Sequence, residues 1–242
     1  MSPDAAPLLA VDGLVKRFGG FRALDVLSFS VSAGEILGLV GPNGSGKTTC
    51  INVISGLYRP DGGSIHFEGR SIGGLPSHRL VHAGINRTFQ VPRPFLTLTV
   101  RENVEIALAY GGHHGHADAG TLLSSLDLGA LADKPAADLN SAQQKMLDLA
   151  RALATGPRLL LVDELAAGLN PAELERVAAK LKELARSGIT LLVVEHLMGF
   201  IDQITDRIIV MNAGKEIFEG RLADAARNAQ VVEVFLGAEH AA

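Results

Sequence analysis

Eight consecutive residues near the start of the chain have the spacing of a phosphate-binding loop. They fit the pattern G-x-x-x-x-G-K-[ST] and read Gly41, Pro42, Asn43, Gly44, Ser45, Gly46, Lys47 and Thr48. The glycines of such a loop let backbone N–H groups turn toward phosphate oxygens, and the following helix adds the positive end of its dipole. Lys47 would reach the β- and γ-phosphates of a nucleotide, and the Thr48 hydroxyl would bind Mg²⁺. We include Thr49 among the nucleotide contacts. The alternative interpretation of the whole motif is a glycine-rich turn that binds no ligand.

Polar side chains follow two apolar runs farther along the chain. Asp163 and Glu164 come directly after residues 159–162, and His196 follows residues 190–194. Continuous apolar runs are typical of strands buried on both faces of a parallel sheet, and ligands of such sheets bind at the carboxyl ends of the strands. We therefore expect these side chains to meet the phosphate-binding loop in one crevice.

The expected chemistry of this crevice is attack of water on a phosphoryl group. Asp163 would hold Mg²⁺, and Glu164 would polarise the attacking water as a general base. His196 would donate a hydrogen bond to the γ-phosphate. For each residue a simpler interpretation exists: the carboxylates cap a turn, and the histidine is an ordinary loop residue. Gln90, after residues 85–89, is either a polar sensor reaching into the crevice or a solvated loop residue.

The elements that would position these residues indicate one α/β chain. Strands are predicted at residues 8–11, 23–31, 35–40, 64–68, 85–89, 159–162, 190–194, 207–211 and 215–219. Helices are predicted at residues 48–57, 76–83, 100–110, 121–128, 142–155 and 171–187, with two short helices at the end. The fold class is a P-loop α/β fold with a mostly parallel core sheet, an N-terminal antiparallel β layer and a helical subdomain inserted at about 91–156.

Composition limits the function further. The 242 residues, 47% of them apolar, suffice for one large domain or two small ones. A net charge of −4 argues against nucleic acid or anionic lipid as the main partner. The single cysteine, Cys50, excludes an internal disulfide and fits a reducing cytoplasm. The start of the chain lacks signal-peptide features, and no apolar run approaches about 18 residues, so a membrane role must come through a partner.

Three features stay open from the residues alone. Phe18, in a turn predicted at 16–20, either stacks on a base or is a core residue, and its position favours the core. Ser141 and Gln144 have the spacing of a capping box, which starts a helix whose N-terminus could also face a phosphate. The histidines at 113, 114 and 116 suggest a flexible surface loop, with a metal site as the alternative.

Taken in order, these motifs resemble the ATPase subunit of ABC transporters. The resemblance covers residues 8–237 as one ATP-binding domain. Four segments are similar to the ATPases of branched-chain amino-acid importers: Phe18-Gly19-Gly20, Arg87-Thr88-Phe89-Gln90, Ala167-Gly168-Leu169-Asn170-Pro171 and Val234-Phe235-Leu236-Gly237.

The resemblance implies roles for residues that the pattern left open. Phe18 takes the adenine-stacking place, which reverses the preference for the core. Gln90 takes the loop that couples the site to membrane subunits and joins Thr48 and Asp163 around Mg²⁺. Glu164 becomes the catalytic base and His196 the switch histidine.

The resemblance also implies partners. ATP and Mg²⁺ are the expected ligands. Integral membrane permease subunits, a second ABC ATPase packed head to tail and, indirectly, a solute-binding protein are the expected partners, at the cytoplasmic face of the cell membrane.

Two segments of the chain depart from the family pattern. The usual Leu-Ser-Gly-Gly-Gln reads Leu139-Asn140-Ser141-Ala142-Gln143, and Leu165 replaces a proline after the catalytic glutamate. The added Cβ atoms are expected to hinder the close approach of this segment to a nucleotide.

Other functions fit less well. Importers of urea, amides or aromatic acids and lipid transporters share the core, since other subunits of such transporters recognise the transported molecule. A DNA-repair or chromosome-structure ATPase would need zinc-binding cysteines or a long coiled coil. A regulatory module without hydrolysis is disfavoured because Glu164 and His196 are both present. A P-loop kinase would need an acceptor-binding lid that the helical insert does not resemble.

Overall fold

Two β-sheets and a group of helices make up the computed structural model, which describes residues 6–111 and 118–239. The strands are β1 Leu9–Phe18, β2 Phe21–Val31, β3 Ile36–Val40, β4 Gly62–Phe67, β5 Arg70–Ser71, β6 Ile85–Arg87, β7 Leu159–Asp163, β8 Thr190–Val194, β9 Arg207–Asn212 and β10 Lys215–Gly220. The helices are α1 Lys47–Ile54, α2 Ser77–Ala83, α3 Val100–Tyr110, α4 Ala119–Ser125, α5 Ser141–Ala154, α6 Pro171–Arg186, α7 Met198–Ile204, α8 Leu222–Ala225 and α9 Ala229–Glu239. Two 3₁₀ turns lie at Gly129–Leu131 and Ala136–Asp138.

The larger sheet has the strand order β10-β9-β3-β8-β7-β6. All neighbours from β9 to β6 pair in parallel, and only β10 is antiparallel. Strand β8 therefore lies between β3, which leads into the phosphate-binding loop, and β7, which leads into Asp163 and Glu164. This order brings the three predicted strand ends to one edge of the sheet, as expected for an open parallel sheet.

The central strands are buried on both faces, which explains their continuous apolar runs. On β7, Leu160 and Val162 join a core with helices α3 to α7, whereas Leu159 and Leu161 join a second core with α1 and the antiparallel sheet. Since side chains alternate across a strand, each central strand contributes side chains to both cores.

The antiparallel sheet has the order β2-β1-β4-β5 and covers α1. The predicted N-terminal antiparallel layer is thus confirmed, but β1 is longer than expected. It runs to Phe18, so the turn predicted at 16–20 contains only Gly19 and Gly20. Irregular pairing around Gly13, with φ 57°, hides this length in the sequence pattern.

Helices α3, α4 and α5 form the predicted helical segment. The boundaries 91 and 156, and the limits 8 and 237 of the whole domain, stay predictions. The capping box of α5 is one residue earlier than expected: Asn140, not Ser141, accepts the Gln143 N–H at 2.8 Å, and the Gln143 side chain accepts the Asn140 N–H. Either residue type can cap a helix, so composition alone did not fix the register.

Several other element ends differ from prediction, and two of them have a clear local cause. Helix α1 stops at Ile54 instead of residue 57, because the chain leaves the helix at Gly56 with φ 73°. Strand β6 stops at Arg87 instead of residue 89, since the Phe89 N–H binds the Asp148 carboxylate at 2.8 Å rather than β7. Gln90 consequently lies in a loop.

Within residues 6–111 and 118–239, no helix has both the length and the apolar character needed to span a bilayer. The loop with His113, His114 and His116 lies outside the described residues.

Candidate functional site

The phosphate-binding loop connects β3 to α1 in a conformation that requires glycine. Gly41 has φ 148°, and a Cβ there would lie 2.2 Å from the Met211 carbonyl oxygen. Gly46 has φ 107°, and its Cβ would lie 2.5 Å from the Ala23 carbonyl oxygen. Gly46 is the N-cap of α1 without a side-chain cap, so the first N–H groups of the helix stay available to an anion.

Lys47 is buried inside this loop with only 5% of its surface exposed. Its ammonium donates to the carbonyls of Gly41 at 2.7 Å and Pro42 at 3.0 Å. Burial lowers the pKa of Lys47, and the carboxylates of Glu164 and Asp163 partly oppose that change. The loop therefore holds a positive charge at its centre, which suits a polyphosphate.

The carboxylate of Glu164 is the point where three predicted residues meet. The Gln90 amide donates to Glu164 Oε2 at 2.5 Å, and His196 Nε2 lies 2.6 Å from Glu164 Oε1. Glu164 itself has φ 48°, a left-handed conformation that side-chain-bearing residues rarely adopt. A positioned carboxylate at the mouth of a phosphate loop can accept a proton from an attacking water.

Asp163 is almost fully buried and pairs with Arg87, whose guanidinium lies 3.1 Å from Asp163 Oδ2. Burial raises the pKa of Asp163, and Arg87 opposes this effect. Its other oxygen, Oδ1, is buried and has no hydrogen-bond partner among the described residues. Thr48 and Gln90 line the same cavity as Asp163, and the three residues offer the hard oxygen ligands that Mg²⁺ prefers, so they fit this ion.

Two cavities adjoin at Thr48. The first, about 260 Å³, is lined by loop residues together with Phe18, Glu164 and His196; its loop residues are Asn43, Gly44, Gly46, Lys47, Thr48 and Thr49. The second, about 710 Å³, runs between the sheet and the helical segment, and Thr48, Gln90 and Asp163 all line it. The structure thus gathers the predicted nucleotide, metal and catalytic residues, while Gly41, Pro42 and Ser45 shape the loop beneath them.

Phe18 is not a core residue. It is 44% exposed at the end of β1, on the wall of the smaller cavity, and its ring meets Tyr58 edge to face at 5.2 Å. Phe21 lines the same cavity and is 63% exposed. Sequence reasoning passed over Phe21 and Tyr58. An aromatic directly after Gly19 and Gly20 is the signal that would have found Phe21, whereas Tyr58 lies far from this turn in the sequence.

Arg87 and Lys145 are two buried cations that sequence reasoning also missed. Arg87 is 8% exposed and Lys145 is 6% exposed. The signal was available for Arg87, because it lies between Ile85 and Phe89 in a predicted strand, and a charge buried there must find a partner. For Lys145 the signal is a cation on the buried side of helix α5.

The altered segment at the start of α5 lies apart from the phosphate loop. Asn140, Ala142 and Gln143 line a separate cavity of about 470 Å³ with Glu173 and Arg176 of α6. Within the described chain this segment does not contribute to the nucleotide cavity.

Comparisons with known proteins agree with this geometry. The chain matches the ABC transporter family over residues 24–167. It is 39% identical to the probable branched-chain amino acid transport ATP-binding protein LivG of Archaeoglobus fulgidus, over 96% of each chain. It is 34% identical to the high-affinity branched-chain amino acid transport ATP-binding protein BraF of Pseudomonas aeruginosa, over 96% of this chain and 98% of that protein. The fold is similar to the ADP conformation of an ATP-binding cassette of an ABC transporter, with TM-score 0.85 and 35% identity over 96% and 100% of the two chains.

Proposed function

The chain belongs to the ABC transporter family as one of its ATPases, and we propose that it hydrolyses ATP to power uptake of branched-chain amino acids. The observation that carries the hydrolytic part is the Glu164 carboxylate, held between Gln90 and His196 on the wall of the phosphate-loop cavity.

In the proposed mechanism the chain positions a triphosphate and a water. Backbone N–H groups of the loop and the Lys47 ammonium bind phosphate oxygens, and Phe18 stacks on the adenine. Glu164 accepts the proton of the attacking water, and His196 donates a hydrogen bond to the γ-phosphate as its charge grows.

Mg²⁺ would be held by Thr48, Asp163 and Gln90. When bound, the ion neutralises charge on the β- and γ-phosphate oxygens. The role of this chain is to keep Asp163 ionised in a buried place, which the Arg87 guanidinium supports.

Replacement of Glu164 by Gln tests the hydrolytic role. The variant should bind ATP as the parent does and lose roughly 10²–10⁴-fold in turnover, the usual contribution of a positioned base. Lys182→Met, on the outer helix α6, serves as a control. Unchanged turnover of the Glu164 variant would remove this residue from the mechanism.

The loop at 88–98 supports a membrane permease as partner. It exposes large apolar side chains next to the larger cavity: Phe89 at 41%, Val91 at 69%, Phe95 at 46% and Leu96 at 51%. Exposed apolar groups of this size favour a protein interface. Gln90 belongs to the same loop and contacts Glu164, so a movement of the docked permease would reach Glu164 through Gln90. With this partner the chain would work at the cytoplasmic face of the membrane.

Cysteine cross-linking tests this interface in the assembled transporter. Cys50 is fully buried, and burial raises the pKa of its thiol to about 12, so it should not compete with an introduced cysteine. Cysteines at positions 91–98 should capture the permease, and a cysteine at exposed Glu175 on α6 should not. Capture from neither set would defeat the docking assignment.

A second ABC ATPase is the other proposed partner, and the two sites it would form are unequal. This chain supplies a complete phosphate loop but an altered Asn140-Ser141-Ala142 segment. Loss of one preorganised donor to a developing oxyanion costs about 2.7–4 kcal/mol, of which the free amide hydrogens of Asn140 recover part. In the assembled pair, Lys47→Ala should abolish transport, and the equivalent change in the partner should leave a measurable fraction. Equal losses, or function as a homodimer, would exclude the asymmetry.

The amino-acid substrate rests on the names of the relatives, because transported molecules are recognised by other subunits. Identification of the ligand carried by the solute-binding protein that co-purifies with the complex tests it. Leucine, isoleucine or valine would support the proposal; urea, an amide, an aromatic acid or a lipid would replace it.

A further inference from the structure

The segment 164–167, which carries Glu164, is held from outside by a single buried ammonium. Lys145 Nζ donates to the carbonyl oxygens of Glu164 at 2.9 Å, Leu165 at 3.1 Å and Ala167 at 2.6 Å. An ammonium has three N–H donors, and all three are used here. Lys145 therefore caps this segment, because its ammonium satisfies three of the segment's carbonyl oxygens.

A second buried group, one residue after the end of β8, holds the same segment. Glu195 is 1% exposed, and its Oε1 accepts the Ala166 N–H at 2.7 Å. The Glu164 N–H donates to the Val194 carbonyl at 2.9 Å. Together with the three lysine contacts, five backbone groups between Glu164 and Ala167 are fixed by partners outside the segment.

This fixation matters because the Glu164 backbone adopts a conformation that it would otherwise leave. Its φ of 48° is unfavourable for a residue with a side chain and persists only when surrounding contacts impose it. The direction of the Glu164 side chain, and hence its approach to Gln90 and His196, follows from that backbone. Removal of the ammonium would leave the buried Leu165 carbonyl and the partly buried carbonyls of Glu164 and Ala167 without this donor, and the segment would relax.

Lys145 also belongs to a different part of the fold from the residue it holds. It lies on α5, five residues after the Asn140 cap, whereas Glu164 follows β7 in the central sheet. Any displacement of α5 relative to the sheet would therefore pull on the backbone of Glu164.

We propose that Lys145 is a positioning residue for Glu164, linking helix α5 to the catalytic site of the same chain. The lysine lines neither the cavity of the phosphate loop nor the larger cavity beside it; it acts through the backbone of segment 164–167. This inference rests on the proposed function in one respect, the role of Glu164 as general base.

A double-mutant cycle in the full chain, assembled with its partner ATPase, tests the proposal. Lys145→Met should lower kcat about 10–100-fold, since misplacement of a catalytic group by about 1 Å costs about 100-fold, while the Kd for ATP stays within about twofold. In a Glu164→Gln background the same change should lower the residual single-turnover rate less than about threefold, because the base is already absent. Lys145→Arg, which keeps a buried cation, should recover most of the turnover.

Lys134→Met is the matched control, since Lys134 is an exposed lysine of the same helical segment; it should leave every value unchanged. If Lys145→Met does not fold, Lys145→Gln, which retains two N–H donors, enters the same cycle. Equal factors in both backgrounds, or unchanged kcat, would overturn the proposal. Wild-type turnover in Glu164→Gln alone would instead refute the assignment of Glu164 as the base. Lys145 would then not be a positioning residue for catalysis.

Discussion

Replacement of Arg87 by Met should destabilise the folded protein by about 3–5 kcal/mol, because it strands a buried carboxylate. Arg87 and Asp163 are 8% and 2% exposed, and their pair is 3.1 Å long. Asp163 already has one oxygen without a hydrogen bond among the described residues, so no second partner compensates for the loss.

Other contacts of Arg87 point to the upper part of that range. Its guanidinium also donates to Asn52 Oδ1 at 2.5 Å and to Ser55 Oγ at 3.2 Å, both on or next to α1. It further stacks over the Phe89 ring, 4.6 Å from the centroid. Met fills part of the volume but replaces none of these hydrogen bonds.

Urea unfolding followed by circular dichroism measures the effect, and two variants make the test specific. Arg101→Met removes an exposed pair with Asp133, in which the two side chains are 39% and 89% exposed, and should cost less than about 1 kcal/mol. Arg87→Met combined with Asp163→Asn should recover much of the loss, because a neutral amide needs no cation. A loss for Arg87→Met no larger than that for Arg101→Met would refute the reasoning.

Three further predictions follow from the site. Phe18→Ala should lower ATP affinity by about 1–3 kcal/mol, the contribution of stacking by one base, and leave the affinity for inorganic triphosphate unchanged; equal losses for both ligands would contradict a stacking role. Gly46→Ala should abolish ATP binding, since its Cβ would lie 2.5 Å from the Ala23 carbonyl, whereas Gly44→Ala, where the space is open, should retain measurable binding. Burial raises the pKa of Glu195 from 4.5 to about 7. The hydrogen bond from the Ala166 N–H and the charge of Lys145 lower this pKa, whereas the charge of Glu164 raises it further. A carboxyl with a raised pKa stabilises the fold fully below about pH 4.5 and loses that contribution, about 3 kcal/mol, as pH rises through 7. Glu195→Gln should therefore flatten the pH dependence of the free energy of unfolding between about pH 4.5 and 7, and an unchanged slope would rule the titration out.

Much of the fold was predictable because local signals and burial agree. The runs at 159–162 and 190–194 predicted two neighbouring parallel strands, and Asn170 with Pro171 predicted the start of α6. Where two neighbouring residues could equally well start an element, the predicted boundary was wrong by one residue. Asn140 and Ser141 can both cap a helix, and the structure selects Asn140. The length of β1 was hidden because irregular pairing with β2 breaks the alternation of side chains.

The parts of the site that escaped prediction depend on contacts between distant positions. The pattern at 163 and 164 indicates which carboxylates act, but it does not show what holds them. Arg87 lies 76 positions before Asp163, and Lys145 contacts carbonyls 19 to 22 positions away. Both cations do leave a trace in the sequence, since Arg87 lies in a predicted strand between Ile85 and Phe89, and Lys145 lies on a buried helix face with Leu149 and Ala152. A charge that periodicity assigns to the interior must be paired there, because an unpaired buried charge costs more free energy than a domain can spare. Buried cations close to the ends of β6 and β7 are thus the first residues to test as supports of a catalytic carboxylate, ahead of any exposed charge in the same cleft.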